Sequence, residues 1–113
     1  MRFANEKAVV NADMSSSFAS PPIMLDQVVG YSFQAVFTGS PVGTFKIQCS
    51  NDDVKLASQV SNWSDIASSS KSIATAGDIF WNIDNAFYKW TRLVYTAAVG
   101  SGTCNVSFVS KGA

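Results

Sequence analysis

Gly43-Thr44-Phe45-Lys46-Ile47-Gln48-Cys49-Ser50-Asn51-Asp52-Asp53 decides how the chain is read. Phe45, Ile47 and Cys49 alternate with Lys46, Gln48 and Ser50, and a period of two places the two sets on opposite faces of a strand. Gly43 opens that strand, and Ser-Asn-Asp-Asp closes it with turn-forming residues. The same grammar recurs on both sides. Upstream, Val28 to Thr38 alternates Tyr31, Phe33, Ala35 and Phe37 with Ser32, Gln34, Val36 and Thr38. Downstream, Tyr88 to Thr96 carries Tyr88, Trp90, Arg92, Val94 and Thr96 on one phase and Lys89, Thr91, Leu93, Tyr95 and Ala97 on the other. Thr103 to Lys111 points Cys104, Val106 and Phe108 inward against Asn105, Ser107 and Ser110.

The remaining segments fit around these strands. Ala8 to Asn11 reads as a first strand, Ile23 to Leu25 and Lys71 to Ala76 as short strands, and Ile79 to Ile83 as an apolar one. Asp13 to Pro22 reads as a turn-rich connector. Asn51 to Ser70 is irregular, with either a short helix over Asp53 to Val60 or a meandering loop, and Trp63 is expected to anchor the core there. Thr38 to Gly43 and Val99 to Gly102 read as hairpin turns, and Asp84-Asn85-Ala86 as an Asx-stabilised turn. The expectation is all-β: a two-sheet antiparallel β-sandwich of jelly-roll type, of about seven or eight short strands with turn signals every eight to twelve residues. Residues 1–12 form an N-terminal arm or first strand, and residues 13–113 a single sandwich domain.

Charge narrows the function. Eight basic and eight acidic residues cancel, and only 14% of the chain is charged, against roughly a quarter in an average domain. The cations are scattered, which argues against nucleic acid. No apolar run nears the 18 or so residues of a membrane span, and the first residues, with an early Glu6, lack the apolar core of a signal peptide. Folding in a reducing compartment is therefore expected, with Cys49 and Cys104 as buried thiols rather than a disulfide. A surface covered by Ser, Thr, Asn and Ala rather than charge suits either a protein that lives assembled, as a homo-oligomer, or a monomer with a Ser/Thr-rich exterior.

Residues suited to chemistry are scarce. There is no histidine, Glu6 is the only glutamate, and most of the aspartates stand beside Asn, Ser or Gly in turns. No acid–base constellation, cofactor site or metal site follows: Asn51, Asp52 and Asp53 could ligate a calcium only with a distant carboxylate, and nothing resembles an EF-hand loop. No enzyme activity is expected. Two groups of residues remain as interface or binding candidates. Trp63, Trp81, Trp90, Tyr88 and Tyr95 either fill the core or stack on sugar rings. Arg92, mid-strand between Trp90 and Val94, is expected to be paired, stacked on a ring or at an interface.

Gln34-Ala35, Thr38-Gly39, Gly43 to Asp52 and Trp63-Ser64-Asp65-Ile66, followed by Trp90 to Thr96, Gly100-Ser101-Gly102-Thr103 and Lys111-Gly112, resemble small β-sandwich structural proteins of tailed bacteriophage and prophage virions. The resemblance spans roughly residues 28–112 and lies in strand and turn residues, not in a catalytic signature. It implies a virion component, a head decoration, head–tail or tail protein, that oligomerises and docks on other virion proteins. Phe45 to Ser50 with Trp63 is also similar to discoidin-like carbohydrate-binding jelly rolls, which leaves a host-surface glycan as the alternative ligand. No sugar-binding motif carries over residue by residue.

Overall fold

The computed structural model describes residues 3–25, 28–84 and 86–112. Two antiparallel sheets face each other. The first has the order β1–β10–β4–β8, built from β1 (Phe3–Asp13), β4 (Val28–Phe37), β8 (Gly77–Ile83) and β10 (Thr103–Gly112). The second centres on β5 (Val42–Ser50) paired with β9 (Trp90–Val99). Short strands flank that pair: β2 (Phe18–Ala19) and β3 (Ile23–Met24) on β9, β6 (Ser64–Asp65) and β7 (Lys71–Ile73) on β5. This is the β-sandwich that the alternation predicts, with ten strands among the described residues.

The inward phases meet as the period of two requires. Tyr31, Phe33, Ala35 and Phe37 of β4, with Cys104, Val106 and Phe108 of β10, face Phe45 and Ile47 of β5 and Leu93 and Tyr95 of β9. Phe45 is the hub, with ring centroids 4.7 Å from Tyr95, 5.5 Å from Phe37 and 5.8 Å from Trp81. One inward hydroxyl chain is fully used. Thr91 Oγ1 donates to the Gln48 carbonyl at 3.0 Å, so it accepts from Tyr31 Oη at 2.9 Å, and Tyr31 in turn accepts from Tyr88 Oη at 2.7 Å. Burial pushes the Tyr31 and Tyr88 hydroxyls up from the usual phenol range, so both stay protonated. By contrast Tyr95 Oη and Trp90 Nε1 are buried without a hydrogen-bond partner among the described residues.

Several expectations are corrected. Neither Thr38 to Gly43 nor Val99 to Gly102 is a hairpin turn: β4 and β5 lie in different sheets, as do β9 and β10. Each segment is an arch that carries the chain from one sheet to the other. The two arches run side by side, with Thr38 N–H donating to the Thr103 carbonyl at 3.0 Å and Ser40 N–H to the Ser101 carbonyl at 2.9 Å. Gly39 and Gly100 take φ of 84° and 81°, and a Cβ on Gly100 would collide with the Ser40 carbonyl oxygen. The glycines signal a tight crossing, and a hairpin and an arch share that signal. Of the two readings over Asp53 to Val60 the loop is found, broken by one 3-10 turn, Ala57–Gln59, with no buried residue to hold a longer helix.

The Asp13 to Pro22 connector contains β2. Around it the Ser17 and Ser20 hydroxyls accept the β9 N–H groups of Ala97 and Leu93, both at 2.9 Å, where Pro21 and Pro22 cut the ladder short. The first strand is longer than Ala8 to Asn11 and pairs with β10 along Phe3 to Asp13. The Asx turn expected at Asp84-Asn85-Ala86 falls partly on Asn85, outside the described residues.

Candidate interaction surfaces

Tyr88 bonds Tyr31 and lines a cleft at one end of the sandwich, and Trp63, Trp81, Trp90, Tyr95 and Arg92 divide by face. Trp81 is a core residue, and its Nε1 donates to the Ser69 carbonyl at 2.7 Å. Tyr95 is fully buried against Phe45 and Phe18. Neither presents a surface, because β8 and β9 aim them between the sheets. Trp90 takes the outward phase of β9 yet is buried, with Met24 of β3 and Ser50 of β5 as its ladder partners. Trp63 is not the core anchor expected. It lies on the outer face of the β5–β9 pair, where the Arg92 guanidinium stacks over it at 4.2 Å from the ring centre.

That stack ends a polar chain across the outer face. Arg92 Nε donates to Gln48 Oε1 at 2.8 Å, Gln48 Nε2 donates to Asp65 Oδ1 at 2.9 Å, and Lys46 Nζ lies 3.2 Å from the same carboxylate. The register explains it: Arg92 and Asp65 are both cross-strand partners of Gln48. The Gln48 amide first, then Lys46, holds the Asp65 carboxyl below its usual range, and partial burial lowers Arg92. These contacts pin the Trp63–Asp65 segment to β5 and β9. These side chains bond to one another, and the Arg92 Nη groups make no hydrogen bond among the described residues.

An open cleft of about 420 Å³ lies at one end of the sandwich, between Ser50, Asn51, Asp52, Asn62, Phe87 and Tyr88. Asp52 works as a staple there. Its carboxylate accepts from Ser61 N–H (2.7 Å), Asn62 N–H (2.9 Å) and Asn62 Nδ2 (2.9 Å), and these donors keep it ionised below the usual range. Asn51 Oδ1 accepts Lys89 N–H, and Asp53 pairs with Lys89 Nζ at 3.2 Å. The oxygens that a calcium ion would need thus serve loop N–H groups and a lysine, and no cluster of three metal-ligating side chains occurs among the described residues. Phe87 projects from the cleft 87% exposed.

The outer face of the β1–β10–β4–β8 sheet is uncovered among the described residues. Phe80 (59% exposed) stands beside Gln34, which pairs in turn with Ser107. Val36, exposed next to Asn105 and Asp78, is its diagonal neighbour. The centre of the face, Gln34, Val36, Asn105 and Ser107, carries no charge, and Lys7, Asp78 and Lys111 stand around it. Phe80 and Phe87 are absent from the sequence-derived candidates. The alternation holds the signal for Phe80, which shares a phase with Asp78 and Asn82 rather than with Ile79, Trp81 and Ile83. For Phe87, in a loop, no periodicity speaks.

No known family model matches the chain, and no curated protein matches it in sequence. Solved structures share its fold. The SPBc2 prophage-derived protein YomS superposes with a TM-score of 0.58 at 12% identity, over 96% of this chain and 94% of its own. PirA superposes at 0.56 and 16% identity, over 94% and 92%. A protein in the structure of infectious bursal disease virus, Gx strain, superposes at 0.55 and 12% identity over 96% of this chain, which spans 31% of that protein. At such identities the likeness is one of fold.

Proposed function

We propose that this chain is a structural protein of a tailed-phage or prophage virion, acting by self-association and by docking on other virion proteins rather than by catalysis. The observation that carries the reading is the outer face of the β1–β10–β4–β8 sheet, broad, uncharged at its centre, and bearing exposed Phe80 and Val36. A face of this kind suits a permanent neighbour better than bulk water. The fold shared with a prophage-derived protein and with part of an infectious bursal disease virus protein supports it, as does a chain without histidine whose aspartates serve as turn staples and ion pairs. The test is a density gradient of particles from cells that express the tagged protein. Banding with intact particles is expected; recovery only at the top of the gradient overturns the reading.

One observation favours a glycan as a second reading. Phe87 stands exposed beside Asp52 and Asn62 in an open cleft, an aromatic platform next to polar groups. Binding on a glycan array, abolished by Phe87→Ala, would establish it, and a blank array removes it.

A further inference from the structure

The four-stranded sheet ends on two edges, β1 and β8, that differ in kind. The ladder of β1 on β10 is interrupted between Lys7 and Val9 and again between Val9 and Ala12, Asn11 takes a φ of 50°, and Glu6 and Lys7 are exposed. Irregularities and charges of this sort are how sheets blunt an edge. In the other sheet the flanking strands β2, β3, β6 and β7 are two or three residues long, too short to template a partner. Strand β8, Gly-Asp-Ile-Phe-Trp-Asn-Ile, has little of this defence. It pairs with β4 in unbroken register from Gly77 to Ile83, holds no proline and carries one charge, Asp78.

The open side of β8 can be read residue by residue. Thr38 N–H donates to the Thr103 carbonyl, its opposite number in the β4–β10 register, so even-numbered residues of β4 direct their backbone groups to β10. Odd-numbered residues therefore face β8, and Ala86 N–H donating to the Val29 carbonyl agrees. Gly77, Ile79, Trp81 and Ile83 pair with those odd residues. The N–H and C=O groups of Asp78, Phe80 and Asn82 thus point away from the sheet, and β8 pairs with no strand but β4 among the described residues.

We infer that β8 is a self-association edge, and that it pairs antiparallel with β8 of a second copy about a two-fold axis at Phe80. The inference rests on the assembly reading above and supplies its interface. In this register Phe80 faces Phe80 of the second copy, and Asp78 faces Asn82 of the second copy on both sides of the axis. Every outward N–H and C=O of the three residues then finds a partner in a regular antiparallel ladder. The lone carboxylate of each edge meets an amide that can donate to it, and no like charges oppose each other. Moving the axis to Trp81 would set Asp78 against Asp84, and moving it to Ile79 would leave Asp78 facing Phe80 and Asn82 facing Ala76 outside the strand, so charge and ladder length together favour the Phe80 register. The two four-stranded sheets become one continuous sheet, and the Phe80 rings adjoin on its outer face.

The test is the mass of the full chain by light scattering after gel filtration, for wild type, Phe80→Pro, and Phe80→Cys in a Cys49→Ser background. Proline deletes an N–H that points out of the sheet, so the β4 ladder is retained, and tryptophan fluorescence and the thermal melt check the fold. Wild type is expected at twice the 12.1 kDa of one chain, or a multiple of that, with Phe80→Pro halving the mass. Opposed Cα atoms in such a pair lie about 5.5 Å apart, within disulfide reach, so Phe80→Cys is expected to cross-link on mild oxidation even if the proline variant misfolds. A monomeric wild type, or a cysteine variant that does not cross-link, overturns the edge pairing. A folded proline variant that keeps the full mass also overturns it, yet leaves assembly through another surface standing. The particle gradient judges the virion reading separately.

Discussion

Two tyrosines with the same chemistry should respond in opposite directions to the loss of a hydroxyl. Tyr31 Oη sits mid-chain, accepting from Tyr88 and donating to Thr91, which donates on to the Gln48 carbonyl. Tyr31→Phe breaks both of its bonds and strands the Thr91 oxygen as a buried acceptor. Tyr88 is only partly buried and can turn to water. A net hydrogen bond is worth about 1 kcal/mol, and a stranded buried polar group costs about 1–3 kcal/mol, so a loss of about 2 kcal/mol is expected. Tyr95 Oη is buried with no partner among the described residues, and the folded state already bears that desolvation cost. Tyr95→Phe removes the cost and leaves a void smaller than a methyl group, so the expected change is a gain of about 1 kcal/mol. The assay is urea unfolding followed by tryptophan fluorescence, at constant slope so that midpoints report stability. The two variants should lie about 3 kcal/mol apart, which at roughly 4–8 °C per kcal/mol for a domain of this size also separates their melting temperatures. Equal losses in both variants, or a Tyr95→Phe loss above about 1 kcal/mol, would refute the reasoning.

Other outcomes follow from the same geometry. Burial pushes the Cys104 thiol up to about 11 and raises Cys49 by a smaller burial, so in the native protein at about pH 8 both should react slowly with Ellman's reagent, Cys104 hardly at all until urea is added. Prompt modification of Cys104 would place it outside the core. Asp52 and Asp65 titrate below their ordinary range when folded; their contribution is complete above the unfolded carboxylate pKa of about 4 and is lost as pH falls through the folded values. The urea midpoint should therefore drop in acid, and less so in Asp52→Asn; an identical acid profile in that variant counts against the staple. A double-mutant cycle of Arg92→Ala with Trp63→Ala should return a coupling of about 0.5–1 kcal/mol. Zero coupling means the stack does not form in solution.

The fold was legible because β4, β5, β9 and β10 each bury one face, and side-chain alternation reports burial directly. It does not report which strands pair. Glycine-rich turns read as hairpins at Thr38 to Gly43 and Val99 to Gly102 proved to be arches between sheets, since a glycine with positive φ serves either geometry. The site was half legible. Arg92 stacked on Trp63 matches what a strand-embedded arginine demands. Trp63 was misplaced because size alone argues for burial, whereas its sequence neighbours Ser64 and Asp65 belong to an exposed edge strand that holds it on the outer face. Phe80 went unremarked inside an apolar run, although its phase with Asp78 and Asn82 marked it as outward.

Self-association, as proposed above, is read most plainly by sedimentation velocity of the full chain across micromolar concentrations. One discrete species of at least twice the chain mass is expected. A sharp monomer at every concentration would contradict self-association and leave only docking on other proteins to support a structural role.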